Sequence, residues 1–161
     1  LREIHCTNPM IKNQMKALSK NIVILEKIEK DYGSLDKFVN KEQPNDIANM
    51  FSAGKYKMIQ VGRAFTYDYL KRVGVNTCKS SLGLERLFGS FRLGIVENSV
   101  ATEQQVLNVI KKIAILNECD EIIVESIITQ FCLRRSANIC GINPNCEKCK
   151  MRSICHYNKN L

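Results

Sequence analysis

Four cysteines crowd into sixteen residues: Cys140, Cys146, Cys149 and Cys155, spaced Cys-x5-Cys-x2-Cys-x5-Cys. Four thiolates suit either a tetrahedral zinc ion or a four-iron, four-sulfur (4Fe-4S) cube. Zinc sites usually join two close pairs across a longer loop. Here only the middle pair is close, and the outer cysteines stand alone. That spacing favours the cube, whose corners lie farther apart than the ligand positions of one ion; zinc is the alternative occupant. Pro144 and the short loops limit the freedom of the unbound segment and so reduce the entropic cost of closing a site. Lys148, Lys150 and Arg152 offset the negative charge of a thiolate-bound cluster. The other cysteines, Cys6, Cys78, Cys119 and Cys132, are scattered. His156, just after the last one, reads as a surface residue rather than a fifth ligand.

Residues 1–8 are polar and contain no apolar signal segment. The expected compartment is therefore intracellular and reducing, cytoplasmic or nucleoid/nuclear, where clustered cysteines bind metal before they form disulfides. No apolar run approaches the roughly 20 residues of a membrane span, so no membrane partner is expected. A formal net charge of +8 favours polyanions, nucleic acid above all.

The elements that must position these groups are helices. Ile11, Met15, Leu18, Ile22, Leu25 and Ile28 recur at helical spacing over residues 10–32. Gly33 stops that pattern, and Ser34 to Asp36 cap a short helix running to about Val39. Pro44 opens another over 47–51. Residues 58–73 read as helix, turn, helix around Gly62. A polar connection follows over 75–82, then a short helix over 84–88 and a loop over 89–94. Two longer helices come next: 103–116, with Val106, Leu107, Ile110, Ile113 and Ala114 on one face, and 121–132. The latter is apolar on most sides and is expected to be central and buried. The apolar helical faces are expected to be core. No strand alternation appears, so the expected class is all-α.

Taken in order, these segments resemble one family. The stretch from Ala137-Asn-Ile-Cys140 through Pro144-Asn-Cys146-Glu-Lys-Cys149 to Cys155-His-Tyr157 resembles the C-terminal cluster of the endonuclease III-like branch of the helix-hairpin-helix DNA glycosylase superfamily. Glu103-Gln-Gln-Val106 to Phe131 resembles the two helices before that cluster. Gln60-Val-Gly62-Arg-Ala64 and the helix after it resemble the family hairpin. Lys79-Ser-Ser81-Leu-Gly-Leu-Glu-Arg86 resembles the segment carrying the catalytic aspartate, and Asn21-Ile-Val to Tyr32-Gly33 resembles the helix before the hairpin. The likeness spans roughly residues 12–157, and the cysteine run is its specific part.

The resemblance implies a two-lobed fold. Residues 10–77 would form a helical lobe with the hairpin, and 78–161 a helical lobe ending in the iron–sulfur loop. It implies double-stranded DNA as partner, damaged and bent, with a base flipped into a cleft. Hairpin N–H groups would hold a phosphate, a carboxylate would assist base loss, and in some members a lysine forms a Schiff base. The DNA-contacting candidates are Lys57, Gly62, Arg63, Lys79, Lys148 and Arg152. Lys55, Arg86 and Arg92 are further candidate phosphate contacts near the same elements, and Arg134, Arg135 and Lys150 are basic residues around the cluster.

The sequence departs from the family where the chemistry would occur. The family hairpin reads roughly Leu-Pro-Gly-Val-Gly-x-Lys-Thr-Ala, and here it is Met58-Ile-Gln60-Val-Gly62-Arg63-Ala64-Phe-Thr66. Gly62 survives, but Gln60 replaces the first glycine. Ala64 stands at the lysine position and cannot form a Schiff base. Ser81 stands at the aspartate position and carries no charge near neutral pH. Asp68 and Glu85 are the nearest carboxylates. The loop from Cys140 to Cys146 is one residue shorter than in endonuclease III and has no basic residue. Few residues precede the helix beginning near Met10, so the front of the first lobe is expected to come from a missing N-terminal segment or a protein partner.

The leading expectation is a DNA-binding iron–sulfur protein of this base-excision-repair superfamily without lyase chemistry. One alternative is an active glycosylase using a non-standard carboxylate. Another is a cluster-bearing structural or redox module that binds a protein.

Overall fold

The computed structural model describes residues 7–159, and among them every regular element is helical. Helix α1, Pro9–Tyr32, begins where the Asn8 side chain accepts from the Met10 N–H at 2.9 Å and Pro9 takes the first turn. It stops at Gly33, which adopts φ 85° and donates its N–H to the Glu29 carbonyl. Helix α2, Leu35–Lys41, is capped by Ser34, and α3, Pro44–Ser52, opens on its proline. Helices α4, Arg63–Arg72, and α5, Leu82–Phe88, follow. Helix α6, Glu103–Leu116, starts with a reciprocal capping box between Thr102 and Gln105. Helix α7 is Glu121–Cys132, a 3-10 turn covers Cys146–Lys148, and α8 is His156–Lys159.

The chain divides into two compact units, Leu1–Val75 and Asn76–Leu161. In the first, α1 packs on α2 and α3 on α4. Ile28, Phe38, Ile47, Phe51, Tyr56, Met58 and Leu70 form its core. Phe38 meets Tyr32 and Tyr56 edge-on, with ring centroids 4.9 and 5.8 Å away. Tyr56 donates its hydroxyl to Asp31 at 2.6 Å, and Lys55 pairs with the same carboxylate at 2.8 Å. Those two hydrogen bonds, Lys55 first, hold the Asp31 carboxyl below its ordinary range. In the second unit, α5, α6 and α7 pack against one another around Leu84, Leu87, Phe88, Val106, Ile110 and Val124.

Three sequence expectations need correction. The helix-turn-helix around Gly62 has its second helix, α4, but residues 57–62 are turn and loop. The chain there is held by other bonds: Met58 N–H donates to the Phe51 carbonyl at 2.9 Å, and the Asn21 amide makes paired hydrogen bonds with the Ile59 backbone at 2.8 and 3.0 Å. Helix α7 is not buried all round. Val124, Ile128, Phe131 and Cys132 face the core, while Ile123 and Ile127 are exposed, Ile127 at 65%. In α1, only the C-terminal end of the apolar stripe is covered: Ile28 is buried, whereas Ile11, Met15, Leu18 and Ile22 are exposed. Periodicity marks an apolar face but does not supply the element that covers it. No helix among the described residues is long and apolar enough to cross a membrane.

Candidate metal centre

The cysteine segment folds back on the end of α7. Ile139 and Cys140 both donate their backbone N–H to the Phe131 carbonyl, at 3.0 and 3.1 Å. Cys146 opens the 3-10 turn, and Cys149 closes it by donating to the Cys146 carbonyl at 3.1 Å. Cys155 donates to the Met151 carbonyl and leads into α8. By this route Cys140, Cys146, Cys149 and Cys155 all line one cavity, with Arg92, Ile139, Pro144, Arg152 and Asn158 completing the wall. The cavity is small, with a volume of about 10 Å³. All four thiols are free; Cys140 and Cys155 are buried, and Cys146 and Cys149 are half-buried. Among the described residues, no three or more His, Cys, Asp and Glu side chains form a group that could hold a single metal ion. The four cysteines line one tight cavity.

Arg92 is the charged residue that reaches into this wall from outside the cysteine segment. It is 7% exposed. Its Nη1 lies 3.9 Å from Cys140 Sγ, its Nη2 donates to the Ile142 carbonyl at 3.4 Å, and its guanidinium stacks 4.1 Å from the Tyr157 ring centroid. Among the described residues no carboxylate pairs with it. The loop bearing Arg92 is fastened twice by His156. Its carbonyl accepts the His156 N–H at 2.7 Å, and His156 Nδ1 lies 2.9 Å from the Ser90 carbonyl, so Nδ1 carries the proton. Gly94, at φ 66°, lets the exposed His156 ring lie where a Cβ would collide with it. Arg92 is therefore not one of the phosphate contacts expected from its place in the sequence. It is a buried cation facing sulfur.

Burial pushes the Cys140 thiol up, and Arg92 beside it acts in the opposite direction. Burial, with a smaller effect from Cys140, raises the neighbouring Cys132 thiol to about 11. Both sulfurs stay protonated near neutral pH unless a cation replaces the proton.

The other sequence candidates fall in two groups. In the first unit, Gly62 is the N-cap of α4, with no side-chain cap and no acidic residue in the first turn. A Cβ on Gly62 would meet nothing within 4 Å, so no contact inside the protein demands glycine there. Gln60 takes φ 60°, the left-handed conformation that a hairpin glycine would supply. Ala64 and Lys57 are exposed. Arg63 is turned inward: it donates to Asn49, to Asn45 at 2.8 Å and to the Tyr67 hydroxyl at 3.2 Å, tying α4 to α3. Lys55, paired with Asp31, lies 4.8 Å over the Tyr56 ring.

In the second unit, Lys148 and Arg152 are exposed, and Lys79 is half-buried and is not without a partner. Ser81 is the N-cap of α5, accepting from the Leu84 N–H at 3.5 Å. The carboxylates near the family positions are engaged locally: Asp68 lies 3.9 Å from Lys71, and Glu85 accepts from Ser80 at 2.7 Å. Glu125, 6% exposed on α7, accepts from Thr129 at 3.0 Å. Its sequence neighbours, in a helix apolar on most sides, give no sign of this burial.

Compared with known proteins, the chain matches no family model, no curated protein and no solved structure. The site itself has to carry the functional argument.

Proposed function

We propose that the chain is a DNA-binding iron–sulfur protein of helix-hairpin-helix glycosylase type, with Cys140, Cys146, Cys149 and Cys155 as cluster ligands and without the lyase chemistry of that group. The observation that carries the reading is the buried, carboxylate-free Arg92 in the wall of a cavity lined by four cysteines. An uncompensated buried cation costs on the order of several kcal/mol. A thiolate-ligated iron–sulfur centre supplies the matching negative charge. The Cys-x5-Cys-x2-Cys-x5-Cys spacing, with only one close pair, favours a polynuclear centre over zinc. Cys146 and Cys149 form the less buried side of the cavity, so the segment that yields to a cluster is the loop and not the helical core. When bound, such a group cross-links the C-terminal segment and provides a redox-active inorganic centre.

Three features support DNA as the partner: the net charge of +8, the exposed Lys57, Lys148 and Arg152, and the uncapped first turn of α4 behind Gly62. Helix N-termini with open N–H groups attract phosphate. Lyase chemistry by the family route needs an amine where Ala64 stands. Base release needs a carboxylate where Ser81 caps α5 with a neutral hydroxyl.

The test is duplex DNA titrated into anaerobically prepared protein at rising salt. Log affinity falls linearly with log salt, and Lys57→Ala and Lys148→Ala each reduce the slope by about one. Absence of binding at low salt removes DNA from the proposal and leaves a cluster protein that docks on another protein.

A further inference from the structure

A second cavity opens between the start of α5, the end of α7 and the loop behind Cys140. Its volume is about 720 Å³, and it shares no lining residue with the cysteine cavity. Its charged lining is Arg86 and Arg134, and no Asp, Glu or Lys lines it. Ser81, Asn138 and Asn143 add neutral hydrogen-bonding groups. The Nε of Arg86 is buried and meets no acceptor. A buried N–H without a partner leaves its desolvation uncompensated.

Two guanidiniums, neutral donors and no carboxylate are the chemistry of oxyanion recognition. The planar guanidinium fork matches two oxygens of a tetrahedral anion, and the pair brings the charge that a phosphate dianion needs. We propose that this cavity binds a phosphate group, with Arg86 and Arg134 as its charged contacts. The inference stands apart from the cluster and uses none of the exposed lysines assigned to DNA. The phosphate belongs either to a nucleic-acid backbone or to a small phosphate compound, and the chemistry at the pocket is the same for both.

The experiment is isothermal titration of the full chain with inorganic phosphate in low-chloride buffer, repeated with saturating duplex DNA. The parent binds phosphate saturably. Arg86→Gln and Arg134→Ala each weaken binding at least tenfold, while Lys111→Ala, on the exposed side of α6, leaves it unchanged. Should Arg86→Gln lose its helical circular dichroism, the exposed Arg134 decides alone. A duplex that abolishes phosphate binding identifies the backbone as the source. A duplex that binds without effect identifies a free phosphate compound, and in either case the pocket stands. The phosphate titration is read without any duplex, so failure of DNA binding and failure of the pocket are separate results. No saturable phosphate binding, or equal weakening by Lys111→Ala, overturns the proposal.

Discussion

Gln60 adopts φ 60° where the resembling hairpin places its first glycine. A non-glycine residue in this region carries strain of about 1 kcal/mol, partly offset by the flexibility glycine adds to the unfolded chain. Gln60→Gly is therefore expected to raise the unfolding free energy by roughly 0.5 kcal/mol, measured by urea denaturation; a loss of similar size means that the side chain holds the turn. Ala64, at the start of the next helix, offers no amine. Borohydride reduction of the protein on an abasic duplex is expected to trap no specific covalent complex. Lys79 lies two residues before Ser81, so a strong trapped band that disappears in Lys79→Ala would place lyase chemistry on that residue, which already has another interaction.

At the scale of elements, α4 combines an N-terminus lacking a side-chain cap with a glycine that no internal contact requires. Gly62→Ala is expected to change stability by less than about 0.5 kcal/mol and to weaken duplex binding several-fold, because a methyl group there blocks close approach of a phosphate. Unchanged affinity separates α4 from the DNA contact. The helices were legible because stop and start residues and periodicity are local: Gly33 ends α1, Pro44 opens α3, and apolar spacing marks α6 and α7. Burial was less legible. Ile127 and Glu125 lie two residues apart on α7, and the apolar one faces out while the charged one faces in, which depends on what α5 and α6 present to the helix. Arg92 is illegible for the same reason: as a basic loop residue it reads as a phosphate contact. Only the folded loop, fastened by His156, brings it 3.9 Å from Cys140 Sγ.

For the whole molecule, the four cysteines belong to the second unit, Asn76–Leu161, and Arg92 belongs to the same unit. That unit's C-terminal segment has few buried apolar side chains of its own: Ile142 and Ile154 are exposed, and the buried side chains of the run are those of Cys140 and Cys155. A centre that joins the four sulfurs would replace the missing hydrophobic core of this segment. The decisive measurement is iron and acid-labile sulfide in protein purified without oxygen, with zinc measured on the same sample. About four irons and four sulfides per chain are expected, with broad absorbance near ~400 nm that disappears in Cys146→Ser and Cys149→Ser. Stoichiometric zinc without iron, or iron retained in full by both variants, would contradict the assignment of these four cysteines to a 4Fe-4S cluster.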